Sequence, residues 1–161
     1  MKKELEKAVD LRNSGNHKES NQLLLKLVRD FPEDASINYQ CAWSYDLLGE
    51  ESKAVPYYEK AIRLGLPPGE LEGALLGLGS TYRTLGAYEK SKKTFLKGIE
   101  AFPNSRALKV FYSMTLYNLN EHRKAMELLL KCLAETTSDN ELLNYKRAIH
   151  FYSDKLDEVW D

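Results

Sequence analysis

Apolar residues recur along this chain at intervals of three or four, the spacing that places side chains on one face of an α-helix. In the middle of the sequence this stripe consists of Leu75, Leu78, Tyr82 and Leu85. Gly86 follows it, and glycine commonly ends a helix because it adopts the left-handed conformation without strain. A second stripe runs through Phe95 and Gly98 until Pro103, which cannot continue a helix. The pattern predicts a helix–turn–helix unit.

The same unit recurs through most of the chain. The residues expected to end each first helix are, in chain order, Gly15, Gly49, Gly86 and Asn120. They are spaced by 34, 37 and 34 residues, and the long interval contains Pro68, which can begin a helix because the first helical N–H needs no partner. The predicted units are residues 1–34, 35–71, 72–105 and 106–137. One helix pair cannot bury its apolar face alone, so the units must stack.

The last part of the chain has a different pattern. Ser138 and Glu141 have the spacing of a capping box, which predicts the start of another helix. Behind them an apolar stripe continues through Leu142, Tyr145, Ile149, Tyr152, Leu156 and Val159. We therefore predict an all-α chain that ends in a capping helix over about residues 139–160, which would shield the open end of the array.

The order of bulky and small residues from Leu75 to Pro103 resembles the tetratricopeptide repeat, a helix pair of about 34 residues. The resemblance extends over residues 1–137. The chain is similar to small stand-alone bacterial members of that family. It implies a right-handed α-solenoid of four helix pairs with the C-terminal capping helix, all in a single domain over residues 1–161. It also implies a concave groove, lined by the first helix of each pair, that holds a peptide or a helix of a partner protein.

The predicted groove residues share one face of the first helices, beside the face that packs in the repeat. They are Leu5, Val9, Arg12, Tyr39, Trp43, Asp46, Leu76, Arg83, Val110, Met114 and Tyr117. This surface is apolar and aromatic, centred on Tyr39 and Trp43, with Asp46 and Arg83 as polar contacts. We expect Gly73 and Gly77 to leave the wall beside Leu76 shallow. Alternatively, the chain's own helices cover the two aromatic residues.

Charge and composition narrow the possible functions. The 161 residues include 23 basic and 24 acidic side chains, for a net charge of −1, which gives no reason to expect a nucleic-acid or membrane partner. The two cysteines, Cys41 and Cys132, lie in packing positions and are expected to be buried rather than bonded to each other. No group of His, Cys and carboxylate has metal-ligand spacing, and no catalytic arrangement is recognisable. We expect no metal, no cofactor and no enzymatic activity.

Two functions remain open at this point. The first is an interaction module that binds a protein or peptide in the groove. The second is a homodimeric structural protein whose groove or capping helix is occupied by its own chain or by a second copy. The start of the chain lacks the apolar run of a secretory signal, and no apolar stretch has the length of a membrane span, so we expect a cytoplasmic protein.

Overall fold

The computed structural model describes residues 1–161 and consists of helices and short connections. The helices are α1 (Lys2–Asn13), α2 (His17–Asp30), α3 (Ala35–Leu47), α4 (Glu51–Leu64), α5 (Pro68–Thr84), α6 (Tyr88–Ala101), α7 (Arg106–Asn118), α8 (His122–Thr136), α9 (Asn140–Asn144) and α10 (Lys146–Tyr152). The prediction of an all-α chain is confirmed. The chain forms two compact units, Met1–Thr94 and Phe95–Asp161, which we call the N-terminal and the C-terminal unit. A single domain over residues 1–161 stays a prediction.

The turns within the helix pairs are those that the repeating glycines predict. Gly15, Gly49 and Gly86 have φ angles of +83°, +70° and +76°, and Asn120 takes the same left-handed conformation at +60°. In each turn the next residue donates its N–H to a carbonyl five residues back, as Ala87 does to Tyr82 over 2.9 Å. These bonds satisfy carbonyls that would otherwise be unpaired at the helix end. Four separate turns therefore share one geometry.

Helices α1 to α5 pack against one another in chain order within the N-terminal unit. One buried cluster joins the first three helices and contains Ala8, Leu24, Leu27, Ile37 and Cys41. A second joins α3, α4 and α5 and includes Tyr39, Ala42, Tyr58, Ala61, Ala74 and Tyr82. Buried hydroxyls reinforce the close pairs, because Ser20 donates to the Ala8 carbonyl and Ser91 to the Gly79 carbonyl, each over 2.7 Å. Small residues at these crossings allow the helix backbones to approach closely.

The C-terminal unit has its own core. Helix α7 packs on α8, and α10 packs on α8 as well. The buried hydrophobic side chains are Phe95, Leu108, Tyr112, Leu116, Ala125, Cys132 and Ala134. The rings of Phe95 and Tyr112 lie 6.2 Å apart between centroids, so an aromatic contact joins the second half of α6 to α7. Both cysteines are buried and free, which confirms their predicted role as packing residues.

The C-terminal helical segment is shorter than predicted and is interrupted, so the bounds given for the capping helix, residues 139–160, are wrong. The N-cap is Asp139 rather than Ser138, and its carboxylate accepts the Leu142 N–H over 3.0 Å. The helix breaks at Tyr145, resumes as α10 and ends at Tyr152. Ser153 is buried there, and both its hydroxyl and its backbone N–H donate to the His150 carbonyl, over 2.7 Å and 3.4 Å. An apolar stripe permits a helix, but it does not show where the helix ends.

Candidate functional site

A cleft of about 430 Å³ lies on the N-terminal unit, between helices α3, α4 and α5. Its lining consists of Tyr39, Trp43, Asp46, Glu51, Tyr58, Gly73, Leu76, Gly77, Ser80, Thr81 and Thr84. The residues from α3 recur at helical spacing and therefore share one face of that helix. The cleft combines aromatic and aliphatic surface with several hydroxyls and two carboxylates, and it has the size of a small ligand or side-chain site.

Two tyrosines fill the space that two glycines leave open. A Cβ atom built on Gly77 would lie 2.6 Å from Cζ and 2.9 Å from Cε1 of the buried Tyr58 ring. A Cβ on Gly73 would contact the Tyr39 hydroxyl and lie 3.3 Å from its Cζ. The expectation that these glycines leave a shallow wall is therefore wrong. They are the positions at which α5 admits aromatic rings from α3 and α4.

The carboxylate of Asp46 is held by hydroxyls from two other helices. Tyr58 donates to its Oδ2 over 2.6 Å, and the Thr81 hydroxyl lies 3.0 Å from its Oδ1. Burial raises the pKa of Asp46, while the bonds from Tyr58 and Thr81 act in the opposite direction. Burial and the nearby Asp46 carboxylate raise the pKa of Tyr58. Asp46 thus joins α3 to α4 and α5, and it also forms part of the cleft wall.

Trp43 is the exposed aromatic residue of the cleft. Its side chain is 39% exposed, whereas Tyr39, one turn earlier on α3, is only 8% exposed. The two rings lie 6.0 Å apart between centroids, at 28° between planes. The Arg12 guanidinium lies 3.8 Å above the Trp43 ring and donates to Gln40 Oε1 over 2.5 Å, while burial lowers its pKa. Tyr39 is therefore covered by the chain's own helices, whereas Trp43 remains open to solvent.

The cleft brings together four of the predicted groove residues, Tyr39, Trp43, Asp46 and Leu76. Arg12 lies behind Trp43, outside the lining. The others in the N-terminal unit are partly buried and do not line the cleft; they are Leu5, Val9 and Arg83. Leu5 packs against the cluster of α1, α2 and α3.

The remaining predicted residues lie on α7 of the C-terminal unit. Val110 is partly buried, Met114 is exposed, and Tyr117 is 65% exposed with its ring 5.0 Å from that of His122. Their assignment to a partner-binding groove stays a prediction.

The prediction missed several residues of the cleft, above all Tyr58, Glu51 and Thr81. They lie on α4 or on the packing side of α5, whereas the prediction considered only one face of each first helix. A usable signal was present in Gly73 and Gly77, which stand one turn apart. Because glycine has no Cβ, such a pair leaves space on a helix for large side chains from a neighbouring helix.

The C-terminal unit has a second depression, of about 720 Å³, beside the start of α8. Exposed Arg123 forms an ion pair with Asp157 there, with 2.6 Å between Nε and Oδ2. Close to the end of the chain, three exposed rings contact one another, with centroids 5.1 to 6.5 Å apart. We call Phe151, Tyr152 and Trp160 the C-terminal aromatic cluster. It is a surface of the C-terminal unit and not part of the cleft.

Neither unit brings three metal-binding side chains together. The absence of a metal or cofactor stays a prediction. None of the ten helices is long and apolar enough to span a membrane.

The known proteins that this chain resembles share one fold. A family model described as tetratrico peptide repeat matches residues 35–156. The solved structure of MamA MSR-1 C2 is similar with a TM-score of 0.70 at 17% identity, covering 88% of this chain and 75% of that chain. YrrB, described as a TPR protein with an unusual peptide-binding site, is similar with a TM-score of 0.72 at 19% identity, covering 87% of this chain and 71% of its own.

A tetratricopeptide repeat protein from Parabacteroides merdae ATCC 43184 has a TM-score of 0.74 at 18% identity, with 92% of this chain and 57% of that chain covered. At these identities the structures establish the fold alone. No curated protein matches the sequence.

Proposed function

This chain belongs to the tetratricopeptide repeat family, and on that premise we propose that it binds a segment of a partner protein in the cleft of its N-terminal unit. The family fold is one of protein–protein interaction, and its members are generally non-catalytic. We propose that this chain is likewise no enzyme. The bound segment is a peptide or a helix that lays side chains into the cleft.

The observation that carries this proposal is the exposed Trp43 ring beside Leu76 in a recessed surface. Tryptophan is among the residues that contribute most to binding at protein interfaces, especially in a pocket from which water is excluded. Arg12 and Tyr39 hold the ring in place, so little freedom is lost when a partner covers it. The peptide-binding site in the description of YrrB, a protein with the same fold, gives independent support.

The test uses short random peptides displayed on phage and selected on the full chain. Peptides that bind should lose most of their affinity for Trp43→Ala and Leu76→Ala, because both side chains offer apolar surface in the cleft. Leu85→Ala removes an exposed leucine of the same helical repeat outside the cleft and should have no effect. Circular dichroism and thermal unfolding verify that each variant is folded. Selected peptides that bind all three variants equally would contradict the proposal.

A second candidate function is self-association through the C-terminal aromatic cluster. Phe151, Tyr152 and Trp160 are 53%, 46% and 55% exposed, and they carry no charge. An aromatic side chain buries about 150–250 Å² when fully covered, so an identical cluster from a second copy would remove considerable apolar area from water. Sedimentation velocity at rising concentration should then detect a dimer. Phe151→Ala with Trp160→Ala should weaken it, and a strict monomer would exclude this candidate.

We also propose a cytoplasmic setting without a nucleic-acid or membrane partner. The two unpaired thiols fit a reducing compartment, and the near-zero net charge gives no reason to expect binding to a phosphate backbone.

A further inference from the structure

The charged residues of the cleft are all acidic. Asp46 and Glu51 line it, and none of its lining residues is Lys, Arg or His. Asp46 accepts two hydroxyl contacts, but neither carboxylate forms an ion pair within the chain. Glu51 lies close enough to Asp46 to raise the pKa of that carboxyl, although burial is the larger cause. Two neighbouring carboxylates without a cation disfavour an acidic or phosphorylated occupant and favour a cationic one.

A third carboxylate stands near the same wall. Glu70 lies near Tyr39 and contributes to raising the pKa of that phenol, and one of its oxygens is buried without a hydrogen-bond partner. The opposing charge is Arg12, which is 8% exposed, bonded to Gln40 and stacked on Trp43. Arg12 covers one face of the Trp43 ring, so the rest of the ring can contact an occupant of the cleft. The three carboxylates therefore outnumber the Arg12 cation, and the local charge at this wall is negative.

From this arrangement we propose that the cleft receives a lysine or arginine side chain of the partner segment. The inference rests on the proposed function and specifies what the site recognises. The apolar stem of such a side chain packs on Trp43 and Leu76, and its cationic head reaches Asp46 and Glu51. Long basic side chains suit this geometry because they combine an apolar stem with a charged end. An aromatic face also attracts cations directly.

The test starts from peptides selected on the full chain by phage display, without any bias in their composition. Those that lose binding to Trp43→Ala define the cleft-directed set, and they should share a Lys or Arg at one position. In synthetic copies, replacing that residue by Gln should weaken binding roughly tenfold or more, and replacing it by Glu should weaken it further. Affinity should also fall with rising salt, since charges carry part of it.

Glu51→Gln supplies the decisive variant, because Glu51 makes no internal bond whose loss would disturb the fold. The peptide with Lys or Arg should bind Glu51→Gln more weakly, whereas the Gln-substituted peptide should bind it as well as it binds the unchanged protein. Glu89→Gln is the matched control, since Glu89 is an exposed acidic residue in the first turn of α6. It should not alter either affinity.

The outcomes separate the two proposals. Cleft-directed peptides without a common basic residue, or with an acidic one, would overturn the inference and leave the proposed function standing. A basic residue whose contribution is the same in Glu51→Gln would overturn it as well. Failure to obtain any peptide that depends on Trp43 would count against both.

Discussion

The two units of this protein differ in how many of their large apolar side chains are exposed to solvent. Of the exposed large apolar side chains, five lie in the N-terminal unit and thirteen in the C-terminal unit, although the latter is the shorter of the two. Both of the large buried clusters belong to the N-terminal unit. One unit thus keeps most of its apolar surface inside and offers a defined cleft. The other presents apolar faces to its surroundings.

The difference follows from what surrounds each helix. In the N-terminal unit α3 has neighbours in α1, α2, α4 and α5, so its rings, its carboxylate and its small residues all find partners. In the C-terminal unit, α8 packs on α7 and, beyond that helix, only on the short α10. Its residues Met126, Leu129 and Leu133 remain exposed along one side. In a stacked array the next repeat covers the apolar face of the one before it, whereas the short, interrupted helices at the C-terminus cover less of α8.

The largest effect that tests this contrast comes from comparing one leucine of each unit. Leu27, near the end of α2, is fully buried, whereas Leu133, near the end of α8, is 41% exposed. Leu27→Ala should lower the free energy of unfolding by about 2–5 kcal/mol, because it removes buried surface and leaves a cavity. Leu133→Ala should cost less than about 1 kcal/mol. Urea unfolding measures both, and equal losses would show that the second leucine is covered in solution.

A smaller effect tests the fit of Tyr58 against α5. Gly77→Ala should destabilise the protein by about 1–3 kcal/mol, since the new methyl group meets the fixed Tyr58 ring and overpacks the site. Gly69→Ala, in the same helix, meets nothing within 4 Å. It should be neutral or stabilising by up to about 1 kcal/mol, as alanine favours a helix over glycine. Thermal unfolding compares the two variants. A stabilising Gly77→Ala would refute the close fit.

The third prediction concerns pH. Burial raises the pKa of the Cys41 thiol from 9.0 to about 12, so the folded chain keeps this proton in alkaline solution while the unfolded chain loses it. The contribution to stability is complete below pH 9 and is lost as the pH rises toward 12. The free energy of unfolding should therefore fall by about 1.4 kcal/mol per pH unit from this group.

Cys41→Ala should remove this part of the fall in the free energy of unfolding with pH, whatever its effect on stability at neutral pH. Cys132, in the C-terminal unit, also has a raised pKa, with burial as the main cause. Cys132→Ala provides the comparison and should change the slope less, since Cys132 retains some exposure whereas Cys41 has none. Urea unfolding measures the slopes from about pH 8, just below the usual thiol pKa, to about pH 11, roughly two units above it. Identical slopes in the unchanged protein, Cys41→Ala and Cys132→Ala would contradict the burial argument.

The sequence predicted the repeat closely but the candidate site only in part. The left-handed turns at Gly15, Gly49, Gly86 and Asn120 could be located because each depends on one residue type at one position. Trp43 and Asp46 could be placed on one face of α3 by helical spacing. Glu51 and Tyr58 could not be assigned to the cleft, because that required knowing how α4 lies against α3 and α5.

Local chemistry along the chain therefore determined the helices, their turns and their packing faces, since spacing, glycine and proline act within a few residues. Only the tertiary structure decided that the Tyr39 and Tyr58 rings fit against Gly73 and Gly77 and that hydroxyls from α4 and α5 contact Asp46. Those outcomes depend on atoms brought together from distant parts of the chain, and helical spacing carries no information about such contacts.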